Sequence, residues 1–168
     1  FLELTRLVRQ QGLLEKQPRY YALNAAVTLG ALALGFTFLS LVDNLWLQLL
    51  DAVFLSTVFA RIAFLGHDAG HRQIFRSNRW NDRAGVVIGF LLGMERTWWV
   101  EKHNRHHANP NQTGMDPDID IPVLAFTEED ALSKGGIYRF IVRYQPWLFY
   151  PMLTLEGVFG LRLAGLLY

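Results

Sequence analysis

The stretch YALNAAVTLGALALGFTFLSLV, residues 21–42, constrains this chain more than any other. It carries no charge and a single side-chain amide, Asn24. About 20 such residues cross the hydrocarbon core of a bilayer. A run that is apolar all round is either a span or the buried helix of a soluble core, and its length favours the span. A short DNLW turn leads to a second run, WLQLLDAVFLSTVFARIAFLG, residues 46–66, with Asp51 near its start and Arg61 near its end. Two spans joined by a tight turn predict a membrane hairpin. Charges inside a span usually face protein or water, so Arg61 is expected either on the functional side or snorkelling to the interface.

The remainder fits an all-α membrane protein with sizeable polar parts. Hydrophobic residues make up 51% of the 168, with a mean hydropathy of +0.15. AGVVIGFLLGM, residues 84–94, is too short to span and reads as an interfacial or re-entrant helix. ERTWWVEKHNRHHANPN reads as a helix stopped by Asn109-Pro110. Residues 111–135 read as polar loop, and QPWLFYPMLTLEGVFGLRLAGLLY opens a third span, about 147–168, that the end of the sequence truncates, with Glu156 and Arg162 inside it. The chain begins at Phe1 and ends within an apolar stretch, so a single membrane domain over 1–168, incomplete at its C-terminus, is expected. Four Lys/Arg precede the first span, none stands in the Asp43–Asn44 turn, and ten lie between Gly66 and Gln145. The positive-inside rule therefore predicts a cytoplasmic N-terminus and a cytoplasmic face after the second span.

All five histidines fall in two clusters on that face. GHDAGH supplies His67 and His71, and EKHNRHHANPN supplies His103, His106 and His107. Residues three and four apart share one side of a helix, so each cluster can grip a metal, and neutral imidazole suits iron, zinc, copper or nickel. The absence of cysteine excludes thiolate zinc sites, disulfides and a cysteine nucleophile. HDAGH lacks the glutamate of the zinc-protease HExxH motif. A phosphohydrolase built on a His-Asp pair needs an upstream histidine that this chain does not have. DPDID, residues 116–120, is not a calcium loop, because Ile121 replaces the glycine and Thr127 the glutamate. A net charge of +1 points to no nucleic-acid partner.

GHDAGH, WWVEKHNRHHANPN and GMDPDID together resemble the membrane fatty acid desaturases, and their wording is most similar to the front-end and linoleoyl-CoA desaturase-like branch. H-x3-H and H-x2-HH match the first and second histidine boxes of that family. The resemblance implies four membrane helices under a cytoplasmic cap, with a di-iron centre whose ligands include His67, His71, His103, His106 and His107. It implies O2-dependent insertion of a double bond into an acyl chain carried as acyl-CoA or acyl-lipid. Related di-iron membrane hydroxylases share such boxes and are the alternative. An unactivated C–H bond offers no acid or base handle, so the hard step belongs to a bound metal. Asp68 and Asn104 are candidates for orienting ligand imidazoles. Asp116, Asp118 and Asp120 either support the box-two helix or serve as plain turn residues, and Trp98 and Trp99 either line an acyl entrance or form an interfacial belt. The family's third box is absent, and so is the His-Pro-Gly-Gly signature of a fused haem domain. The expected electron donor is a separate protein such as a ferredoxin or haem protein, or a part of the protein outside this sequence, and the missing ligands are expected beyond Tyr168.

Overall fold

The computed structural model describes all residues from Phe1 to Tyr168, and it contains helices and no strand. The chain divides into two compact units, residues 1–92 and 93–168.

The first unit is the hairpin with a helix on either side in sequence. α1 (Leu2–Gln10) is a short basic amphipathic helix, and α2 (Pro18–Leu41) and α3 (Leu45–Gly70) are the two long apolar helices. Pro18 opens α2, where its missing N–H costs nothing. Asn44 caps α3 by accepting the backbone N–H groups of Trp46 and Leu47 at 3.0 and 3.2 Å, and the Gln48 amide donates to the Val42 carbonyl at 2.7 Å, closing the turn. Both helices are long and apolar enough to cross a membrane, yet only 11% and 28% of their most apolar windows are buried. The core helix of a soluble protein would be mostly buried. Leu34 on α2 and Leu50 and Val53 on α3 are instead exposed, as lipid-facing residues are.

Small residues and polar groups hold the pair together, the usual means where lipid removes the hydrophobic drive for association. Gly35 lies so close to Leu55 and Phe54 that a β-carbon there would collide with the Leu55 side chain. Arg61 neither snorkels nor points away: its Nη2 donates to Asn24 Oδ1 at 2.8 Å and its Nε to Thr28 Oγ1 at 3.3 Å. Asn24 and Thr28 are one turn apart on α2, so Arg61 locks the register of the hairpin. α4 (Asn78–Leu92) packs on α3, where Gly66 admits Ile88 so closely that a β-carbon would sit 2.7 Å from its Cγ2. It starts six residues before the expected interfacial segment, because the fully buried Asn81 staples the preceding loop. Asn81 donates to the carbonyls of Phe75 and Ser77 at 2.7 and 3.0 Å and accepts the Phe75 N–H at 3.0 Å.

The second unit begins with α5 (Arg96–Ala108), capped by Glu95 and ended at Asn109 as the Asn-Pro stop predicts. Glu95 accepts the N–H groups of Trp98 and Thr97, and the Trp98 amide above all holds its carboxyl below the ordinary range. The expected loop over 111–135 contains one short helix, α6 (Glu128–Ser133), and is followed by α7 (Gly136–Arg143). The expected third span is composite. α8 (Gln145–Glu156) runs into a seven-residue π-helical segment, Gly157–Leu163, and then into α9 (Ala164–Leu166). Pro151 sits inside α8, and Gly157 and Gly160 lie in the wider segment, where Arg162 donates to the carbonyl of Gly157 at 2.9 Å. Proline removes a helix donor and glycine loosens the backbone, and π segments are where such helices widen.

Candidate metal centre

His67 and His71 belong to the last turn of α3. His67 is inside the helix, and His71 caps it, with its N–H on the His67 carbonyl at 3.0 Å. Spacing by one turn brings their rings to a centroid separation of 4.5 Å. Asp68 stands beside them: its Oδ1 is 3.3 Å from His67 Nδ1, and its Oδ2 accepts the hydroxyl of Tyr21 at 2.9 Å. Arg72 follows with φ +57°, and its carbonyl accepts the Lys16 ammonium at 2.7 Å, so a cation from the N-terminal segment meets the negative end of α3.

In the second unit, α5 presents three imidazoles in two different roles. His103 and His107 are four apart, and their Nε2 atoms approach to 3.0 Å. Two nitrogens bound at about 2.0–2.1 Å to one ion stand roughly 2.9 Å apart at right angles and roughly 3.3 Å apart in a tetrahedron. The pair is therefore spaced as two ligands of one metal. Trp99, one turn earlier, stacks on His103 with ring centroids 4.5 Å apart and planes 15° from parallel, which holds that imidazole from its other face. Trp98 goes elsewhere: Gly165 of α9 lies against its ring.

His106 turns its Nδ1 to Asp116, 2.9 Å from Oδ2 and 3.0 Å from Oδ1. Asp116 is fully buried. Burial alone would raise its pKa. The backbone N–H groups of Asp118 and Asn111, at 2.9 and 2.7 Å, and then His106, outweigh it and hold the carboxyl below its ordinary value. An anion fixed in this way keeps the proton of His106 on Nδ1 and leaves Nε2 as the lone-pair donor, the arrangement that metal-binding histidines use. Asp118 pairs with Lys102 of α5 and so fastens the DPDID turn to the helix. Asp120 is exposed. Asn104, expected to share the orienting role, is exposed. The sequence left the three aspartates evenly balanced between support and turn chemistry. Only the closure of the turn under α5 singles out Asp116.

The donor set fits iron: five imidazoles, two of them with carboxylate partners that fix the tautomer, and no thiolate. The chain's likeness to known proteins agrees. A family model described as fatty acid desaturase matches residues 44–167. The chain belongs to the fatty acid desaturase family. It is 33% identical over 151 residues to a Delta(8)-fatty-acid desaturase of Euglena gracilis, covering 89% of this chain and 35% of that protein. It is 31% identical over 163 residues to fatty acid desaturase 3 of Bos taurus, covering 92% and 37%. It is 30% identical over 150 residues to a Delta(6)-fatty-acid desaturase of Caenorhabditis elegans, covering 88% and 33%. The chain thus spans about a third of the length of the curated relatives it matches. No solved structure matches it. The resemblance carried by three short motifs extends over most of the chain, and the all-helical fold with two membrane-length helices is consistent with part of the four-helix fold that the resemblance implies.

Proposed function

We propose that the protein to which this chain belongs is an O2-dependent fatty acyl desaturase, with His67, His71, His103, His106 and His107 among the ligands of two irons. The observation that carries the reading is the 3.0 Å approach of His103 Nε2 and His107 Nε2 on α5, within a chain of this family. The iron pair supplies the oxidising power that an unactivated methylene requires. In balance, two adjacent methylenes lose two hydrogens, and dioxygen with two electrons and two protons becomes two waters. The chain's own residues prepare the ligands. Asp116 and Asp68 hold protons at Nδ1 of His106 and His67, so that Nε2 is the atom offered to metal. Trp99 fixes the plane of His103.

The substrate is a fatty acyl chain borne by CoA or by a lipid. An apolar cavity of about 350 Å³ in the second unit, lined by Ile121, Leu124, Ile141, Phe149, Met152 and Phe159, has the size and character to take a hydrocarbon tail. The electrons come from a ferredoxin or haem protein, either separate or carried by a part of the protein outside this chain. The metal face is cytoplasmic, because the basic residues gather on either side of the hairpin and not in its turn. The remaining iron ligands come from the part of the protein outside this chain.

The test is expression of the full-length parent in a host lacking the activity, with analysis of the total acyl chains. A new double bond at one position is expected, and it should disappear in His103→Ala and His107→Ala while the protein still inserts. A hydroxylated acyl chain in place of the olefin would assign the related hydroxylase chemistry. Full activity in either alanine variant would refute the ligand assignment.

A further inference from the structure

We propose that Tyr21, at the entry to the first membrane helix, is a positioning residue for the metal site, acting on His67 through Asp68. The inference rests on His67 being a ligand, as proposed above.

Asp68 directly follows His67 on α3. Adjacent residues on a helix project about 100° apart and do not face each other, so Asp68 has no intrinsic reason to keep an oxygen at His67 Nδ1. Its contact with Nδ1, at 3.3 Å, is at the long end for a hydrogen bond. The side chain is also about a third exposed, so water competes for it. A carboxylate in that position swings unless something outside the helix holds its other oxygen. Tyr21 does so: its hydroxyl donates to Asp68 Oδ2 at 2.9 Å, across 47 residues of sequence.

The tyrosine is itself held in register. Tyr21, Asn24 and Thr28 follow one another at spacings of three and four along α2 and form one stripe. Asn24 and Thr28 take the two hydrogen bonds of Arg61, and Tyr21 takes Asp68, which is seven residues and two turns after Arg61 on α3. One polar seam therefore runs down the hairpin and ends at the metal-binding turn. At the same end, Lys16 bonds the carbonyl of Arg72, fixing the approach of the chain to α2. The hydroxyl of Tyr21 pins Oδ2, which leaves Oδ1 for His67 Nδ1–H, and that leaves His67 Nε2 for iron.

The experiment measures iron affinity by chelator competition on the full-length protein in detergent, for wild type, Tyr21→Phe, Asp68→Ala, the double variant and His67→Ala. Outer partners of metal ligands typically change affinity 10–100-fold. Asp68→Ala is expected in that range, and Tyr21→Phe, one bond further out, at about 3- to 10-fold. Because Tyr21 acts through Asp68, its replacement should cost nothing further once Asp68 is alanine. Loss of packing alone would instead lower affinity equally in both backgrounds. An unchanged affinity in Tyr21→Phe, or equal losses with and without Asp68, would overturn the relay, and a collapse of iron binding in His67→Ala would leave the ligand assignment standing. Unaltered iron binding in His67→Ala would remove the ligand assignment and the relay with it.

Discussion

Replacing Asn81 by alanine removes three hydrogen bonds at once, two donated to the carbonyls of Phe75 and Ser77 and one accepted from the Phe75 N–H. The side chain is fully buried, but Phe75 and Ser77 are exposed, so water can reach their backbone groups once the loop relaxes. Each lost bond then costs its net value of about 1 kcal/mol rather than a full desolvation penalty, and the sum is about 3 kcal/mol. That is a large share of the roughly 5–15 kcal/mol by which a native protein is stable. At about 2–4 °C per kcal/mol for a chain of this size, the thermal midpoint should fall by about 6–12 °C. Asn81→Asp sharpens the test because it keeps the shape. The new carboxylate still accepts the Phe75 N–H but turns a negative charge toward two carbonyls, so at neutral pH it should be no more stable than the alanine variant. Its folded-state pKa would be raised above that of the unfolded chain. The deficit should therefore shrink as pH falls through the raised value, where protonation restores one donor. The assay is thermal unfolding in detergent, with proteolysis between Arg72 and Arg76 reporting local opening. A midpoint within about 1 °C of wild type for Asn81→Ala, or a clearly more stable Asn81→Asp at neutral pH, would refute the view that this amide staples the loop.

Three further outcomes are expected. Asp116→Asn should lower iron affinity by about 10–100-fold, since an amide cannot accept from His106, Asn111 and Asp118 together; chelator competition measures it, and wild-type affinity would contradict the role. The carboxyl of Asp116 lies below its ordinary pKa, so the stability it contributes is present above the unfolded value and is lost only as pH falls through the lower folded one, which an acid titration of the unfolding midpoint would show. Single cysteines at positions 44 and 112 should label from opposite sides of the membrane, position 44 from outside, and equal labelling of both from outside would sink the hairpin topology.

The hairpin was legible because its signal is local: two apolar runs of bilayer length joined by a tight turn favour spans before their neighbours are known. The histidine helices were legible for the same reason, since spacings of three and four resolve only on a helix and Asn109-Pro110 marks where α5 stops. What stayed hidden depends on pairs far apart in sequence or on elements too short to show a period. Arg61 had two readings until α2 supplied Asn24 and Thr28. α7 has eight residues, too few to separate from the loop before it by periodicity. The widening of the third apolar helix follows backbone hydrogen bonding that composition does not record. Asp116 was indistinguishable from Asp118 and Asp120 because a D-x-D-x-D pattern has no direction. The closing turn separates the three aspartates, with Asp116 buried on His106, Asp118 on Lys102 and also 3.4 Å from His106 Nδ1, and Asp120 exposed.

The two units solve the same problem with unequal rigidity. Each sets a carboxylate against Nδ1 of a candidate ligand, and each needs a second anchor so that the carboxylate does not swing away. Asp116 is fully buried and anchored by two backbone N–H groups of its own turn, which cannot be lost without unfolding that turn. Asp68 is about a third exposed and anchored by one side-chain hydroxyl from another helix. A bond to a rigid backbone holds its geometry, whereas a bond between two side chains holds only as well as the helices that carry them keep their register. The orientation of His106 is therefore built into local structure, and the orientation of His67 is coupled to how α2 and α3 are aligned. Changes that shift the hairpin, at Gly35 or Arg61, should reach the metal through His67 while His106 keeps its tautomer.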